Sequence, residues 1–473
     1  MEAVLIMMGK TQQLEPKLFY HGVSLDRRIP SDHPLRRIQQ VVDFTFIRSQ
    51  VADLYGSCGH TSVDPVVLLK LMFLLFYENV KSERQLMAQL PMRLDWLWFC
   101  GYDIDDQTPD HSVLSKARRR WGAEVFSTFF ETILTQCVQA GLVDGEIIHV
   151  DSSMIDANAS KDSLQCQVRL VSDQLYDQLE QTSEPDKPLE KHISTTDPDA
   201  RLSKKKYSRT TLGYKDHRSV DDKAGIVTAT VTTPANMTDD KVLTEVIEQH
   251  QHATGKEVEM VAADMAYGTG ENYKMLHEQG ITPCISHQQR SSRCHPDFNH
   301  DKFIYDVQQD CYLCPAGQYL PRHQEKPREN SIIYRADRQT CQSCRHLKQC
   351  VSSQQFGRQI RRNVNTEHIE WADGCLSKYE RKRLMARRKY KAEGSFADAA
   401  NNHGFKRCRL RGIEKATIQN QMIAAIQNLR KLLRAINLKP AAGACKRLIE
   451  RLKRHTINAL GLLRNSEPLE TVI

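Results

Sequence analysis

The sequence predicts an α/β protein in which an all-helical N-terminal region precedes a mixed sheet. Three observations carry that expectation. Apolar residues recur at helical spacing from about residue 33 to 140; from about 145 the pattern changes to short apolar runs bounded by turn residues; and a helical stretch separates two of those runs, as a crossover requires.

The helical region begins with PLRRIQQVVDFTFIRSQVADLYG. DPVVLLKLMFLLFYENV follows, with Asp64 as N-cap and Pro65 in the first turn, where a missing N–H costs nothing. SERQLMAQLPMRLDWLWFCG continues the pattern. TPDHSVLSKARRRWG then predicts a basic helix, capped by Thr108 or Ser112. Beyond it, IIHVDSSMID reads as a strand, and TLGYKDHRSV and GIVTATVTT flank the turn DDKAG as a hairpin. DDKVLTEVIEQHQHATG is the crossover helix and VEMVAADMAYG the returning strand. A helix is expected near 163–181, then a polar, proline-bearing stretch that reads as a mobile insertion. Toward the C-terminus, CLSKYERKRLMARRKYKAEGSFADAANN predicts a long basic helix, and GIEKATIQNQMIAAIQNLRKLLRAIN an amphipathic one.

The expected division is a helical N-terminal, DNA-binding domain over 1–140, and a first core segment over 145–285 with its mobile insertion at about 182–206. A cysteine-bearing insertion over 286–360, a second core segment over 361–436 and a helical tail over 437–473 complete it.

The chain has 473 residues and a formal net charge of +8, and its cations are gathered in runs: KKKYSR at 204–209, RQIRR at 358–362, KYERKRLMARRKYK at 378–391 and KRCRLRG at 406–412. Clustered cations gain counterion-release free energy on a phosphate backbone that scattered ones do not, so a polyanionic partner is expected; the alternative for any one run is a solvated helix face. Candidate contacts are Lys116, Arg118, Arg119 and Arg120 on the first basic helix, with Arg387, Arg388, Lys391, Lys406, Arg407, Arg409 and Arg411 toward the C-terminus. The opening MEAVLIMMGK lacks a cleavage pattern, and the longest apolar run, LLKLMFLLF, is too short for a bilayer. A cytoplasmic protein with no membrane partner is expected.

Two of the predicted strands end on an aspartate, Asp151 and Asp264. Carboxylates side by side repel unless a cation lies between them, and hard oxygen donors favour Mg²⁺, with Mn²⁺ as substitute. The alternative is a pair of strand-end caps that satisfy backbone donors. The third acid is expected on the long basic helix at Glu393, beside Arg387, Arg388, Lys389 and Lys391; Glu367, Glu370 and Glu380 compete for the role. His149 and His217, on predicted strands, read as packing or phosphate-proximal residues.

The run GYKDHRSVDDKAGIVTATVTTPANMTDD, the segment VEMVAADMAYGTGENYKMLHEQGI and the closing KAEGSF…GFKRCRLRGIEKATIQNQMIAAIQNLRKL together resemble the DDE transposases of bacterial insertion sequences, whose catalytic core is ribonuclease H-like. DPVVLLKLMFLLFYE, SERQLMAQL and PDHSVLSKARRRWG are similar to that group's helical N-terminal domain. The resemblance implies that Asp151, Asp264 and Glu393 form the catalytic triad on two Mg²⁺ ions. It also implies double-stranded DNA at element ends and target as partner, cleavage and strand transfer as the reaction, a homodimer or higher assembly on DNA, and association with the bacterial nucleoid. The chain departs from the pattern after Glu393: Ser395, Phe396 and Ala397 replace a phenylalanine-glycine pair, and Ala400 stands where a lysine would fall. That departure keeps two other readings open, a non-catalytic copy that occupies ends as a repressor and a nuclease without transfer activity.

Five cysteines of the insertion form a pattern: CYLC (Cys311, Cys314), CQSC (Cys341, Cys344) and Cys350. Two CxxC pairs supply four thiolates to a structural Zn²⁺, with Cys350 as a substitute for Cys344; the interval between the pairs exceeds the usual ~15–20 residues. Reduced thiols without a metal are the alternative. The arrangement resembles the zinc-ribbon-like insertion of some relatives.

Overall fold

The computed structural model describes residues 24–56, 62–168, 190–204, 210–287, 295–351 and 357–437. The helical region holds α1 (Leu25–Arg28), α2 (Pro34–Val41), α3 (Phe46–Val51), α4 (Pro65–Tyr77), α5 (Glu83–Gln89), α6 (Leu94–Cys100), α7 (Ser112–Trp121) and α8 (Glu124–Gln139). Asp64 caps α4 as expected, accepting the Val66 N–H at 2.9 Å, with Pro65 behind it. The start of α7 differs: His111 is the N-cap, and Asp110 rather than Thr108 or Ser112 takes the orphan donor, accepting the Ser112 N–H at 2.8 Å. Phe44, Phe73, Phe99 and Phe129 contact one another in stacked, tilted and edge-on pairs at the centre of this region.

The sheet that follows is built from β1 (Ile147–Asp156), β4 (Arg201–Ser203), β5 (Thr211–Asp221), β6 (Val227–Pro234), β7 (Met260–Ala263) and β8 (Thr282–Cys284). Its order is β6-β5-β1-β7-β8, with β4 also on β5; β5 runs antiparallel to β1, β6 and β4, and β7 and β8 run parallel to β1. That order and those directions make the core ribonuclease H-like. The parallel step needs a crossover, and α9 (Leu243–Thr254) provides it; α10 (Gly270–Glu278) links β7 to β8. Both pack against the face bearing Ile148, Val150, Val261 and Ala263.

At Gly213 β5 presses close on β1: a Cβ there would lie 1.9 Å from the Ile155 carbonyl oxygen, so only glycine permits the pairing.

The helix expected near 163–181 is not what the described part shows. Leu164–Val168 is a strand, β2, paired with β3 (Glu190–Ser194), cross-strand partners overriding local preference; 169–181 lie outside the described residues. Within the stretch expected as a mobile insertion, β3 and β4 are regular strands, and 182–189 and 205–206 lie outside the described residues.

The cysteine-bearing insertion is a second sheet of order β13-β12-β11-β10-β9, made of β9 (Ile304–Asp306), β10 (Cys311–Leu313), β11 (Tyr319–Lys326), β12 (Ser331–Arg335) and β13 (Gln359–Asn363). Two short helices, α11 (Arg338–Gln342) and α12 (Leu347–Cys350), lie between β12 and β13. After α13 (Thr366–Gly374) comes the long basic helix: α14 (Lys378–Arg388), a π turn over Lys389–Glu393 and α15 (Gly394–His403). The last described element, α16 (Ile413–Asn437), packs against β6, α4 and α8, so the helical region and the sheet share one continuous core. Among the described residues no helix is long and apolar enough to cross a membrane.

Candidate active site

Period-two alternation along β1 sends Ile148 and Val150 to the apolar face under α9 and α10, and His149, Asp151 and Ser153 to the opposite face, under the C-terminal helices. Asp151 is not the end of its strand, because pairing with β5 carries β1 on to Asp156. It stands instead where the parallel pairing stops. Val150 is the partner of Ala263, the last residue of β7, so Asp151 and Asp264 are the next residues on two adjacent parallel strands. Beyond that point a strand mouth opens. Asp264 is exposed and caps the following turn, accepting the Met265 N–H at 2.8 Å; Asp151 accepts the Ser152 N–H at 2.8 Å.

Glu393 reaches the same place from the π turn, which packs on β1 and β5. Five-residue turns of this kind widen a helix and redirect side chains, and they recur at functional sites. Between the acids lies the Arg388 guanidinium, 3.2 Å from Asp151 Oδ2 and 3.5 Å from Glu393 Oε1. Its side chain is only 10% exposed, yet Nε and Nη1 have no hydrogen-bond partner, so the guanidinium is held by charge rather than by aligned bonds. Burial pushes the Asp151 carboxyl above its ordinary range; Arg388 opposes this, and the charges of Asp264 and Glu393 add to it. Among the competing acids, Glu380 is committed to a capping box with Ser377, and Glu367 and Glu370 lie on α13.

The residues after Glu393 have structural duties. Arg218, the β5 partner of Asp151, is fully buried and donates from Nε to Asp216 at 2.6 Å and from Nη1 to Gln427 at 2.9 Å and Ser395 Oγ at 3.2 Å. The rings of Phe396 and Phe405 flank its guanidinium, each 4.8 Å away. Ser395 and Phe396 thus fasten α15 to the sheet beside the acids.

Sequence reasoning missed two supports of the site. Ser152 donates to Asp239 at 3.0 Å, and Lys215 donates to the same carboxylate at 2.8 Å, bracing the opposite side of β1. His149 packs, as expected, and is paired with Asp222 at 2.8 Å, which also binds Arg387; burial holds the imidazole below its ordinary pKa. His217 is likewise internal, bonded to Tyr267 and Thr233. No local pattern announces such pairs, since the partners lie far apart in sequence.

The candidate polyanion contacts divide. Arg118 is buried and bonded to Glu83, and Arg409 is tied to the Val80 carbonyl at 2.9 Å and to Asn79 at 2.8 Å, so both charges point inward. Arg388 is committed to the acids. Lys116, Arg119 and Arg120 are exposed on α7, with Arg120 4.5 Å over the Tyr55 ring; Lys406, Arg407 and Arg411 are exposed near the C-terminal end of β1. Lys406 donates to Ser153 at 2.7 Å, Arg411 to the Asn158 carbonyl at 3.1 Å, and Lys391 to the Lys223 carbonyl at 3.0 Å. Tyr379 and Tyr390 stand 76% and 78% exposed among the cations of the basic helix.

The cysteines also regroup. Cys314, Cys341, Cys344 and Cys350 line one small cavity, whereas Cys311 is buried within β10 and is not part of that lining. Among the described residues no three His, Cys, Asp or Glu side chains are already drawn into a metal-holding group. The acids nevertheless suit a hard divalent ion: their donors are all oxygen, their charges repel, and the one cation between them is a loosely bonded guanidinium.

Two family models match this chain: one described as "Transposase domain (DUF772)" over residues 23–120, the other as "Transposase DDE domain" over residues 313–433. Glu393 falls inside the second match, and Asp151 and Asp264 lie between the two. No curated protein matches. Among solved structures, a piggyBac transposase synaptic complex with hairpin DNA aligns at a TM-score of 0.34 and 9% identity, covering 93% of this chain and 83% of that one.

Proposed function

Because the chain carries both a transposase domain and a transposase DDE domain, it is a DDE transposase, and from that premise we propose that Asp151, Asp264 and Glu393 are its catalytic carboxylates. The observation that supports this most is their meeting at one strand mouth, with Arg388 between two of them. The reaction is divalent-metal-dependent cleavage at the inverted-repeat ends of the element, followed by strand transfer into target DNA.

Asp151, Asp264 and Glu393 would hold the Mg²⁺ ions. Bound there, the ions would supply a polarised phosphorus centre and a more acidic nucleophile. The protein's own part is positional. Asp151 is fixed by burial, by the Ser152 N–H on Oδ1 and by Arg388 beside Oδ2, and Asp264 by the Met265 N–H on Oδ1. The wide turn before Glu393 sets the third carboxylate opposite them. Arg388 balances the acids until the ions and a scissile phosphate arrive, and it is then placed to neutralise phosphate charge.

Double-stranded DNA would lie across α7, the basic helix and the segment that follows it, where Lys116, Arg119, Arg120, Arg387, Lys391, Lys406, Arg407 and Arg411 supply the positive field, with Tyr379 and Tyr390 exposed among them. Joining two ends requires two active sites, so a dimer or larger assembly forms on DNA. The departures at Ser395 and Phe396 fall on the packing around Arg218 rather than on the acids, which favours an active enzyme over a decayed end-binder.

A labelled element end incubated with protein and Mg²⁺ or Mn²⁺ tests the proposal. Wild type should give cut and joined products, while Asp151→Asn, Asp264→Asn and Glu393→Gln should bind the end without cutting it. Glu380→Gln should behave as wild type. Loss of cutting in Glu380→Gln with retention in Glu393→Gln would overturn the assignment of the third acid; cutting without joining by wild type would indicate a nuclease.

A further inference from the structure

The cavity in the insertion is independent of the acids and of the reaction proposed for them. Its volume is about 30 Å³, room for a single atom-sized guest and far below the ~300 Å³ or more of an organic ligand site. Four cysteines line it, Cys314, Cys341, Cys344 and Cys350, amid apolar neighbours such as Phe298, Leu320 and Leu347.

Backbone donors fix two of the sulfurs in place. The Gln318 N–H donates to Cys314 Sγ at 3.3 Å, and the Arg358 N–H to Cys341 Sγ at 3.3 Å. Cys314 opens a tight turn in which its N–H bonds the Gln318 carbonyl at 2.8 Å and its carbonyl accepts from Gly317 at 2.8 Å, with Gly317 at φ +78°. Cys341 and Cys344 lie in a second turn, closed by the Cys344 N–H on the Cys341 carbonyl at 3.2 Å. The Arg358 guanidinium donates to the Cys350 carbonyl at 2.7 Å and to the Phe298 carbonyl at 3.0 Å, placing a positive charge beside the four sulfurs.

Cys311 shares none of this. It sits in β10, its Sγ 4.0 Å from the Gln309 side chain, and burial with the nearby Asp306 and Asp310 pushes its thiol pKa up.

We infer that Cys314, Cys341, Cys344 and Cys350, without Cys311, bind one tetrahedral zinc-class ion that closes the insertion. Thiolate sets of four select soft or borderline ions and leave no open coordination position, so the role is structural. The need for it is legible in the packing. Six buried residues, Phe303, Tyr312, Leu320, Tyr334, Ala336 and Ile360, form the core of this sheet, and units of this size commonly depend on a metal or disulfide. Bringing the sulfurs to about 2.3 Å from one ion would draw α11 and α12, which are five and four residues long, toward the Cys314 turn.

Zinc content of the purified full chain, by mass spectrometry of the element, and the absorption spectrum after cobalt substitution test the inference. Wild type, Cys311→Ser and His346→Ala should each hold one ion per chain with a four-sulfur cobalt spectrum. Cys314→Ser, Cys341→Ser, Cys344→Ser and Cys350→Ser should lose the ion. Cys350→His, which keeps a ligand and so avoids relying on an unfolded variant, should retain one ion with cobalt bands shifted to higher energy. A wild type without metal after metal-replete expression, loss of the ion in Cys311→Ser or His346→Ala, or an unshifted spectrum in Cys350→His would overturn it.

Discussion

Replacing Arg388 by alanine should tighten divalent-metal binding at the acids. The guanidinium lies 3.2 Å from Asp151 and 3.5 Å from Glu393, and at an effective dielectric near 20 each pair is worth about 5 kcal/mol of bare Coulomb energy. Desolvation of a side chain only 10% exposed, and the exposure of Glu393, offset most of that. A net of on the order of 1.4 kcal/mol remains, which an incoming ion must overcome and which corresponds to about tenfold in affinity. Titration calorimetry with Mn²⁺ at pH 8 should therefore show about tenfold tighter binding in Arg388→Ala, accompanied by a lower Tm without metal that added Mn²⁺ restores. The pH dependence follows from the raised carboxyl of Asp151. A carboxyl whose folded pKa lies above its unfolded value binds protons more readily in the fold, so its charge subtracts stability as pH rises through that folded value. Metal, which requires the carboxylate, should accordingly be lost on acidification at a pH above the roughly 3.9 of an ordinary aspartate, and at a higher pH still in Arg388→Ala, where the cation opposing the shift is gone. Unchanged or weaker Mn²⁺ binding in the variant would refute the view that Arg388 stands in for a metal ion.

Three further outcomes are expected. Arg218→Met should cost about 3–5 kcal/mol in urea unfolding by stranding the Asp216 charge, and adding Asp216→Leu should recover much of that loss. Gly213→Ala should destabilise by about 3 kcal/mol or more, because its Cβ meets the Ile155 carbonyl at 1.9 Å and β1 must part from β5. On DNA, alanine at Lys116, Arg119 and Arg120 should each reduce the slope of log K against log salt by roughly 0.9, whereas Arg118→Ala should lower Tm and leave the slope alone.

The amino-acid sequence by itself determined most elements and the positions of the acids. Period-two apolar runs, the Asp64–Pro65 start and the turn at DDKAG are local signals, and local backbone preference reads them. Asp151 and Asp264 stand out for the same reason, each following an apolar run, although pairing with β5 carries β1 past Asp151 and leaves that carboxylate largely buried. Leu164–Val168 was misread because its strand exists only through its pairing with β3. Tertiary structure alone decided where long side chains go. Arg118, Arg388 and Arg409 look alike in sequence to their exposed neighbours, yet each is claimed by a carboxylate or carbonyl remote along the chain. Cys350 lines the cavity with Cys314, Cys341 and Cys344, whereas pairing within β10 keeps Cys311 out of that lining. Chain spacing records which groups are available; only packing of distant segments determines which of them meet, since a partner's energy depends on distance and burial rather than on separation along the chain.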